Sequence, residues 1–203
     1  MIEVVVATRN SHKTREIQYI LGPEFTVHDL GMHPEVSQIR EIGISFEENA
    51  KLKALAVSRQ LPALVIADDS GLEVDALGGA PGIYSARYAG PNATDRARID
   101  KLLGELARVR ATGNRRRARF RCIVALARNG NLLGSFEGVV EGTIANEVRG
   151  DSGFGYDPIF IPEGLDQTFG QLSAELKNAI SHRAKAIRAL ALKLRQFTEP
   201  TKE

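Results

Sequence analysis

The sequence predicts an α/β fold, in which buried strands lead through polar loops into helices. The β-branched segment Ile2 to Ala7 reads as a strand. A polar loop follows it, and then Ile17, Ile20 and Leu21 recur at helical spacing. A second apolar run, Leu64 to Ala67, is too short for a helix and is typical of a buried strand. Strands and helices therefore alternate along the first part of the chain, as they do in α/β proteins.

Composition limits the classes of protein to which the chain can belong. Its 203 residues suit one large domain or two tightly joined lobes, and we treat 1–203 as a single domain with two lobes. The net charge of +2 is too small to indicate nucleic acid or a membrane surface by itself. No apolar run approaches the length of a membrane span, so no membrane partner is expected. The single Cys122 excludes an internal disulfide and fits a reducing, cytoplasmic location, and residues 198–203 resemble a frayed tail.

Two adjacent carboxylates, Asp68 and Asp69, follow the apolar run Leu64 to Ala67. A strand there would deliver both to its carboxyl end, which is the edge where open α/β sheets bind ligands. Two like charges at the end of a buried strand are costly unless a cation or hydrogen-bond donors offset them. The alternative is an Asp-Asp-Ser-Gly turn whose side chains bond their own backbone. This stretch alone leaves both interpretations open.

A polar loop between the first strand and the first helix is a candidate anion site. It consists of Thr8, Arg9, Asn10, Ser11, His12 and Lys13. A strand, a short loop and a helix start point free backbone N–H groups at an anion, and Lys13 adds a charge. The glycines of a Walker A loop are absent. An ordinary helix cap with a solvated lysine is the alternative.

The next helix also carries residues of interest. Ser45 and Glu48 fit a capping box, which gives Glu48 a structural task. Glu41, in the loop before this helix, has no such task. Lys53 is on the polar side of the helix and points either to solvent or to the site.

The last third of the chain adds aromatic rings and cations. The glycine-rich loop over residues 150–158 contains aromatic side chains that can stack on a flat ring, although such a phenylalanine is often packed in the core. A long amphipathic C-terminal helix is expected from Ile180 to Leu194, with Lys177 just before it and His182 and Arg183 in its first turn. Cations there oppose the helix dipole, which suggests an anionic or acceptor-bearing ligand.

Five arginines between Arg115 and Arg121 invite interpretation as a nucleic-acid patch. From residue 117 onward, however, arginine alternates with Ala118, Phe120 and Cys122, which is the period of a strand with one solvated face. Direct nucleic-acid binding is therefore not expected. A non-enzymatic nucleotide- or RNA-binding protein remains the alternative to an enzyme.

These separated segments share one chemistry. An anion-binding loop, a carboxylate cluster, an aromatic loop and a cationic cluster would together bind phosphates, a divalent metal and a flat base. The carboxylate cluster comprises Glu41, Asp68 and Asp69. Carboxylates without cysteine or clustered histidine suit Mg²⁺, with Mn²⁺ as a substitute, far better than zinc.

On these motifs the chain resembles the inosine/xanthosine triphosphate pyrophosphatases, which clear deaminated purine nucleotides from the precursor pool. The resemblance covers nearly the whole chain and rests on six motifs in order. They are Ala7 to Lys13, Ser45 to Ala50, Ala67 to Leu72, Gly79 to Arg87, Gly153 to Pro158 and Ala179 to Arg183.

The resemblance implies a two-lobed, elongated α/β fold with a central mixed sheet flanked by helices. It also implies a nucleotide cleft between the lobes and a homodimer. The implied reaction is Mg²⁺-dependent hydrolysis of ITP, dITP and XTP to the monophosphate and pyrophosphate, which keeps these bases out of DNA and RNA. By the same resemblance, Asp69 is the general base, and Glu41 and Asp69 hold Mg²⁺. Thr8 to Lys13 bind the phosphates with Lys53 and Ser70. The base and sugar contact Phe154, Gly155, Tyr156, Asp157, Lys177, His182 and Arg183.

Two further hypotheses follow. Asp68 could instead act as a nucleophile that forms an aspartyl-phosphate, which predicts release of orthophosphate. His182 and Arg183 can both donate hydrogen bonds, and a pocket of donors suits the oxygen at purine position 6 of hypoxanthine and xanthine. Adenine has an amino group there, so donor would face donor. We therefore expect inosine and xanthosine triphosphates to be preferred over ATP.

Overall fold

The computed structural model describes residues 2–37 and 39–197, so the expected frayed tail lies outside the described residues. The strands are β1 (Ile2–Val6), β2 (Phe25–Asp29), β3 (Leu64–Val74), β4 (Arg117–Arg128), β5 (Asn131–Ile144) and β6 (Phe160–Pro162). The helices are α1 (Ser11–Leu21), α2 (Phe46–Ser58), α3 (Asp95–Arg108), α4 (Ala174–Ile180) and α5 (His182–Arg195). Short 3₁₀ turns cover Asp75–Leu77, Gly82–Arg87, Gly113–Arg116 and Asp157–Ile159.

The strands of the described chain form one mixed sheet in the order β2-β1-β3-β4-β5-β6. β1 pairs in parallel with both β2 and β3, whereas β5 and β6 are antiparallel. The turn between β4 and β5 is Asn129-Gly130, where both residues have positive φ, as a two-residue Asn-Gly hairpin turn requires. The predicted α/β class is confirmed.

The strand that carries the two carboxylates is longer than predicted. β3 continues from Leu64 through Asp68 and Asp69 to Val74. The expectation that the strand ends at the carboxylates is therefore wrong, and so is the alternative of a turn. Local sequence left the strand and the turn open because the partners that stabilise these charges lie far away in the chain.

The C-terminal helix also differs from the prediction. Ser181, with extended backbone at φ −64° and ψ 159°, separates α4 from α5. Lys177 consequently lies in the last turn of α4, where a cation is favourable for the helix dipole. The predicted unfavourable placement applies only to His182 and Arg183, which begin α5.

The chain forms two compact units, each with its own hydrophobic core. Over the described residues, the first unit comprises 2–69, 122–138 and 183–197, and the second comprises 70–121 and 139–182. The first core packs side chains of α1 and α5 against β1, β3 and β4, with Ile17, Ile66 and Ile187 fully buried. The second packs α3 against strands and the loop after β5, around Leu102 and Phe160. None of the helices described is long and apolar enough to cross a membrane.

Candidate active site

Asp68 and Asp69 are neighbours in sequence, but β3 directs their side chains to opposite faces of the sheet. The face of Asp68 also carries Leu64 and Ile66, which pack in the first core. Lys53, on α2, contacts Asp69 from the other face. The strand thus separates two like charges and gives each its own cationic partner.

Asp69 and Glu41 share one buried ammonium group. Lys53 Nζ donates to Glu41 Oε1 at 2.8 Å, to Asp69 Oδ1 at 3.2 Å and to the Asp68 carbonyl at 2.7 Å. These three acceptors match its three N–H donors. Burial disfavours the charge of Lys53, but Asp69, Glu41 and Asp68 raise its pKa above the ordinary value. Lys53 therefore stays protonated and holds the two carboxylates together.

Burial raises the pKa of Asp69 above its ordinary value; Lys53 opposes this rise and Glu41 adds to it. Its Oδ2 is buried and has no hydrogen-bond partner among the described residues. A buried carboxylate oxygen without a partner is costly unless a proton, a cation or a water reaches it. The atom is therefore available for chemistry.

The unpaired Asp69 Oδ2 also bears on whether a divalent cation fits beside Asp69 and Glu41. Glu41 and Asp69 supply oxygen ligands only, which suits Mg²⁺, and the unpaired Oδ2 offers it a position. Within the described residues, no group of three or more histidine, cysteine, aspartate or glutamate side chains is arranged around a metal position. Mg²⁺ in proteins keeps several waters and is often held by one or two carboxylates together with substrate phosphates. Glu41 and Asp69 therefore fit a magnesium site that the substrate completes.

Asp68 has a different environment. Its Oδ1 accepts from Lys13 Nζ at 2.7 Å, and its Oδ2 accepts from Arg183 Nε and Nη2 at 3.1 and 2.9 Å. Burial disfavours ionisation, but Lys13, Arg183 and Lys53 hold the pKa of Asp68 far below its ordinary value. Both oxygens are occupied by strong donors. This arrangement disfavours the hypothesis that Asp68 is a nucleophile.

The candidate anion loop lies at the start of α1. Asn10 is the N-cap, and its side chain accepts from the His12 N–H at 3.0 Å. Thr8 Oγ1 accepts from the Asn10 N–H, and Arg9 donates to the Val36 carbonyl at 2.7 Å. The first turn of a helix leaves N–H groups without intrahelical partners, and Ser11 and its neighbours there are exposed. The loop thus retains donors for an anion at its surface.

Residues of the second unit form the glycine-rich loop before β6. Asp157 Oδ2 accepts from the Phe154 N–H at 2.8 Å and from Lys177 Nζ at 2.6 Å. Gly153, at φ +80°, lies so close to this carboxylate that a Cβ there would be 2.1 Å from Oδ2. Only glycine fits, because both the space and the conformation exclude a side chain. Asp95 fixes the same loop by accepting from the Gly155 N–H at 2.6 Å.

Two aromatic side chains of this unit make close contacts with predicted site residues. Lys177 Nζ lies 4.7 Å from the centroid of the half-buried Phe154 ring. The His182 ring stacks on Phe120 with centroids 4.7 Å apart and planes 10° apart. Tyr156 is also buried, in the second core, and its hydroxyl donates to the Ser85 carbonyl at 3.0 Å. Its side chain therefore supports the loop, and its predicted contact with substrate stays a prediction.

The arginine-rich strand is engaged by acceptors. Arg116 donates to the carbonyls of Ile144 and Ala145. Arg119 pairs with Asp75 and Glu141, at 2.9 and 3.0 Å. Two of the five arginines that suggested nucleic acid are thus engaged by acceptors within the second unit.

Comparison with known proteins identifies the family. The sequence model of the Ham1 family matches residues 4–193. The chain belongs to the Ham1 family. It is similar to the dITP/XTP pyrophosphatase of Bacillus licheniformis, with 48% identity over 200 residues, which cover 97% of this chain and 100% of the relative. The dITP/XTP pyrophosphatase of Bacillus subtilis is 47% identical over 192 residues, covering 94% and 96%. The solved structure of a HAM1 protein from Coxiella burnetii has a TM-score of 0.86 and 42% identity, covering 97% of this chain and all of that one.

The Ham1 comparison confirms the resemblance drawn from the six motifs. The structure adds residues that sequence reasoning missed. Glu16 was not singled out, although it lies one helical turn after Lys13, and it accepts from Arg183. Asp95, in the first turn of α3, was not singled out either, and it binds the loop at Gly155. Ser70, in contrast, was predicted as a phosphate-binding residue; it continues β3 directly after Asp69 and is half-buried.

Arg183, one of the predicted site residues, is buried between two carboxylates. Its guanidinium donates to Asp68 and to Glu16, and its side chain is 1% exposed. Asp68 and Glu16 outweigh burial and raise the pKa of Arg183. These contacts give it a task other than the predicted contact with a purine oxygen, which stays a prediction.

Proposed function

We propose that this Ham1-family protein hydrolyses deaminated purine nucleoside triphosphates to the monophosphate and pyrophosphate. The observation that carries the proposal is the carboxylate pair Glu41 and Asp69, joined by Lys53 and bearing an unpaired buried oxygen. The names of the two Bacillus relatives support the choice of substrate, since both are dITP/XTP pyrophosphatases.

In the proposed reaction, water attacks the α-phosphorus in line and the pyrophosphate group leaves. Asp69 Oδ2 orients the water and accepts its proton, because no hydrogen-bond donor of the described residues occupies this oxygen, and its second lone pair stays open to Mg²⁺. A pKa raised by burial makes Asp69 a stronger base than an exposed aspartate. Lys53 limits that rise and fixes the orientation of the carboxylate through Oδ1.

The triphosphate is held by donors at the start of α1. Backbone N–H groups in the first helical turn and the side chains of Thr8 and Asn10 face the phosphates in this proposal. Lys13, 18% exposed and fixed by Asp68, adds a positive charge that serves both bound substrate and leaving pyrophosphate. Mg²⁺ at Glu41 and Asp69, when bound, would neutralise charge on the phosphates.

The purine preference is attributed to residues of the second unit. Phe154 offers a ring face, while Lys177 and His182 supply donors. A site built to pair a substrate group can reject an analogue that lacks it by roughly 10⁴–10⁵-fold. We therefore expect ITP and XTP to be hydrolysed far faster than ATP.

One assay tests the proposal against its alternatives. The purified protein is incubated with ITP and Mg²⁺, and the products are identified by ³¹P NMR. Inosine monophosphate with pyrophosphate supports the proposal, whereas orthophosphate would indicate a different reaction. RNA binding that falls steeply with salt, without turnover of any triphosphate, would support the binding-protein alternative.

We further propose that the protein acts in the cytoplasm as a homodimer and removes non-standard purines before they enter nucleic acids. The buried Cys122 thiol fits a reducing compartment. Ile42 and Ile44, next to Glu41, are 75% and 85% exposed, and adjacent exposed apolar side chains favour contact with a second copy. Sedimentation of the wild type and of Ile44→Glu tests the dimer. A monomeric wild-type protein would contradict it.

A further inference from the structure

Four charged side chains, Lys13, Asp68, Arg183 and Glu16, form a chain of ion pairs beside the first turns of α1. Lys13 Nζ donates to Asp68 Oδ1 at 2.7 Å, and Arg183 Nε and Nη2 donate to Asp68 Oδ2. Arg183 Nη1 donates to Glu16 Oε2 at 2.5 Å. Glu16 lies three residues after Lys13, on the same face of α1. Cations and carboxylates alternate along this chain.

The chain of ion pairs is buried at Asp68 and Arg183 and is partly exposed to solvent at Lys13. The side chains of Asp68 and Arg183 are 0% and 1% exposed, whereas those of Glu16 and Lys13 are 13% and 18% exposed. A buried guanidinium is stable only where carboxylates pair with it. The most exposed member is the cation that the proposed function assigns to the phosphates.

We propose that Glu16 is a positioning residue for Lys13, an inference that rests on the proposed function. Glu16 engages Nη1 of Arg183, while Nε and Nη2 both donate to the single oxygen Oδ2 of Asp68. Oδ1 of Asp68 is thereby left to Lys13.

Loss of the Glu16 carboxylate would change this division of partners. Arginine and carboxylate groups favour a two-pronged arrangement, in which parallel N–H groups donate to both oxygens. Arg183 released from Glu16 can adopt that arrangement with Asp68 and compete with Lys13 for Oδ1. Lys13 then loses its fixed partner and its position over the anion loop.

A double-mutant cycle tests the inference. Glu16→Gln removes the charge at nearly constant volume, and Lys13→Ala removes the group that it positions. We expect Glu16→Gln to lower kcat/KM for ITP by about 10- to 100-fold, the upper end being the cost of a displacement of about 1 Å. In the Lys13→Ala background, the same substitution should change kcat/KM by less than about twofold, because its target is gone.

A matched control uses another carboxylate that pairs with an arginine of α5. Glu24 accepts from Arg195 at the opposite end of that helix, and both side chains are about half exposed. Glu24→Gln should leave kcat/KM unchanged. All variants are assayed well below their melting temperatures, and Glu16→Asp takes the place of Glu16→Gln in the cycle if the latter does not fold.

Two results would overturn the inference. The first is an unchanged kcat/KM in Glu16→Gln. The second is a double variant whose loss of kcat/KM equals the product of the losses in Glu16→Gln and Lys13→Ala, since this would show that the two residues act independently. If the wild-type protein releases no pyrophosphate, the proposed function fails. The crystal structure of Glu16→Gln then decides the positioning independently, since Lys13 Nζ should have left its position 2.7 Å from Asp68 Oδ1. An unmoved Lys13 would refute the inference.

Discussion

Replacing Asp69 or Asp68 by asparagine should have opposite effects on the stability of the protein. Asp69→Asn removes the proposed base while its amide oxygen can still accept from Lys53. Loss of a general base alone lowers kcat by roughly 10²–10⁴-fold, which corresponds to about 3–5 kcal/mol of transition-state stabilisation. Because burial raises the pKa of Asp69, its negative charge costs stability at neutral pH. We therefore expect the melting temperature to stay the same or rise.

Asp68→Asn is the matched control, one residue away and identical in chemistry. Its carboxylate neutralises the buried Arg183 and binds Lys13. Removing one partner of a buried ion pair costs about 3–5 kcal/mol. For a chain of this size, 1 kcal/mol shifts the melting temperature by about 2–4 °C, so a decrease of roughly 6–20 °C is expected.

The assay combines thermal unfolding with pyrophosphate release from ITP at saturating Mg²⁺. The expected pattern is a stable, inactive Asp69→Asn protein and a destabilised Asp68→Asn protein. Wild-type turnover by Asp69→Asn would remove the proposed mechanism. A destabilised Asp69→Asn with an unaffected Asp68→Asn would show that the burial and pairing argument has been assigned to the wrong carboxylates.

Four further predictions concern the effects of pH on activity and on stability, the binding of Mg²⁺ and the task of Arg183. The acidic limb of kcat/KM should lie above the ordinary aspartate pKa of about 3.9, because Asp69 must be ionised and its pKa is raised; a limb at or below that value in a pH-rate profile would contradict this. The pKa of Asp68 is lowered, so its contribution to stability is complete above about pH 4 and is lost as the pH falls further, and Asp68→Asn should weaken the acid dependence of unfolding. Mg²⁺ at ten times its Kd should stabilise the wild type by about 1.4 kcal/mol in a thermal-shift measurement and should have no such effect on Asp69→Asn. Arg183→Ala should lower kcat/KM for ITP and ATP in equal proportion, since Arg183 is engaged by carboxylates; a narrowed ratio between the two substrates would instead assign it to the base.

Local sequence predicted the parts of the fold that depend on nearby residues. Ser45 caps α2 as expected, Thr94 caps α3, and the Asn129-Gly130 turn joins β4 to β5. Glu48 differs in one detail, because its carboxylate accepts from the Ile44 N–H and not from Ser45. These features follow from hydrogen bonds within a few residues.

The partners of buried charges were not predictable in this way. Arg183 is 115 residues from Asp68 and 167 residues from Glu16 along the chain. No local pattern records such pairings, so the sequence indicated neither the carboxylate partners of Arg183 nor the task of Glu16. The continuation of β3 through Asp68 and Asp69 has the same origin, since these carboxylates are tolerated in a strand only because distant cations reach them. Candidate residues could thus be named from the sequence, but the division of tasks among them required the tertiary structure.

The unbroken β3 strand makes the tasks of the two aspartates a matter of parity. Side chains alternate between faces with a period of two, so a shift by one residue would move Asp68 and Asp69 to each other's face of the sheet. An insertion would bring Asp68 to Lys53, whereas a deletion would bring the proposed base to Lys13 and Arg183. A one-residue insertion or deletion between Leu64 and Asp68 is therefore more damaging to this site than most substitutions. The surrounding loops can change in length, but within this strand only an even number of inserted or deleted residues keeps each aspartate on its present face.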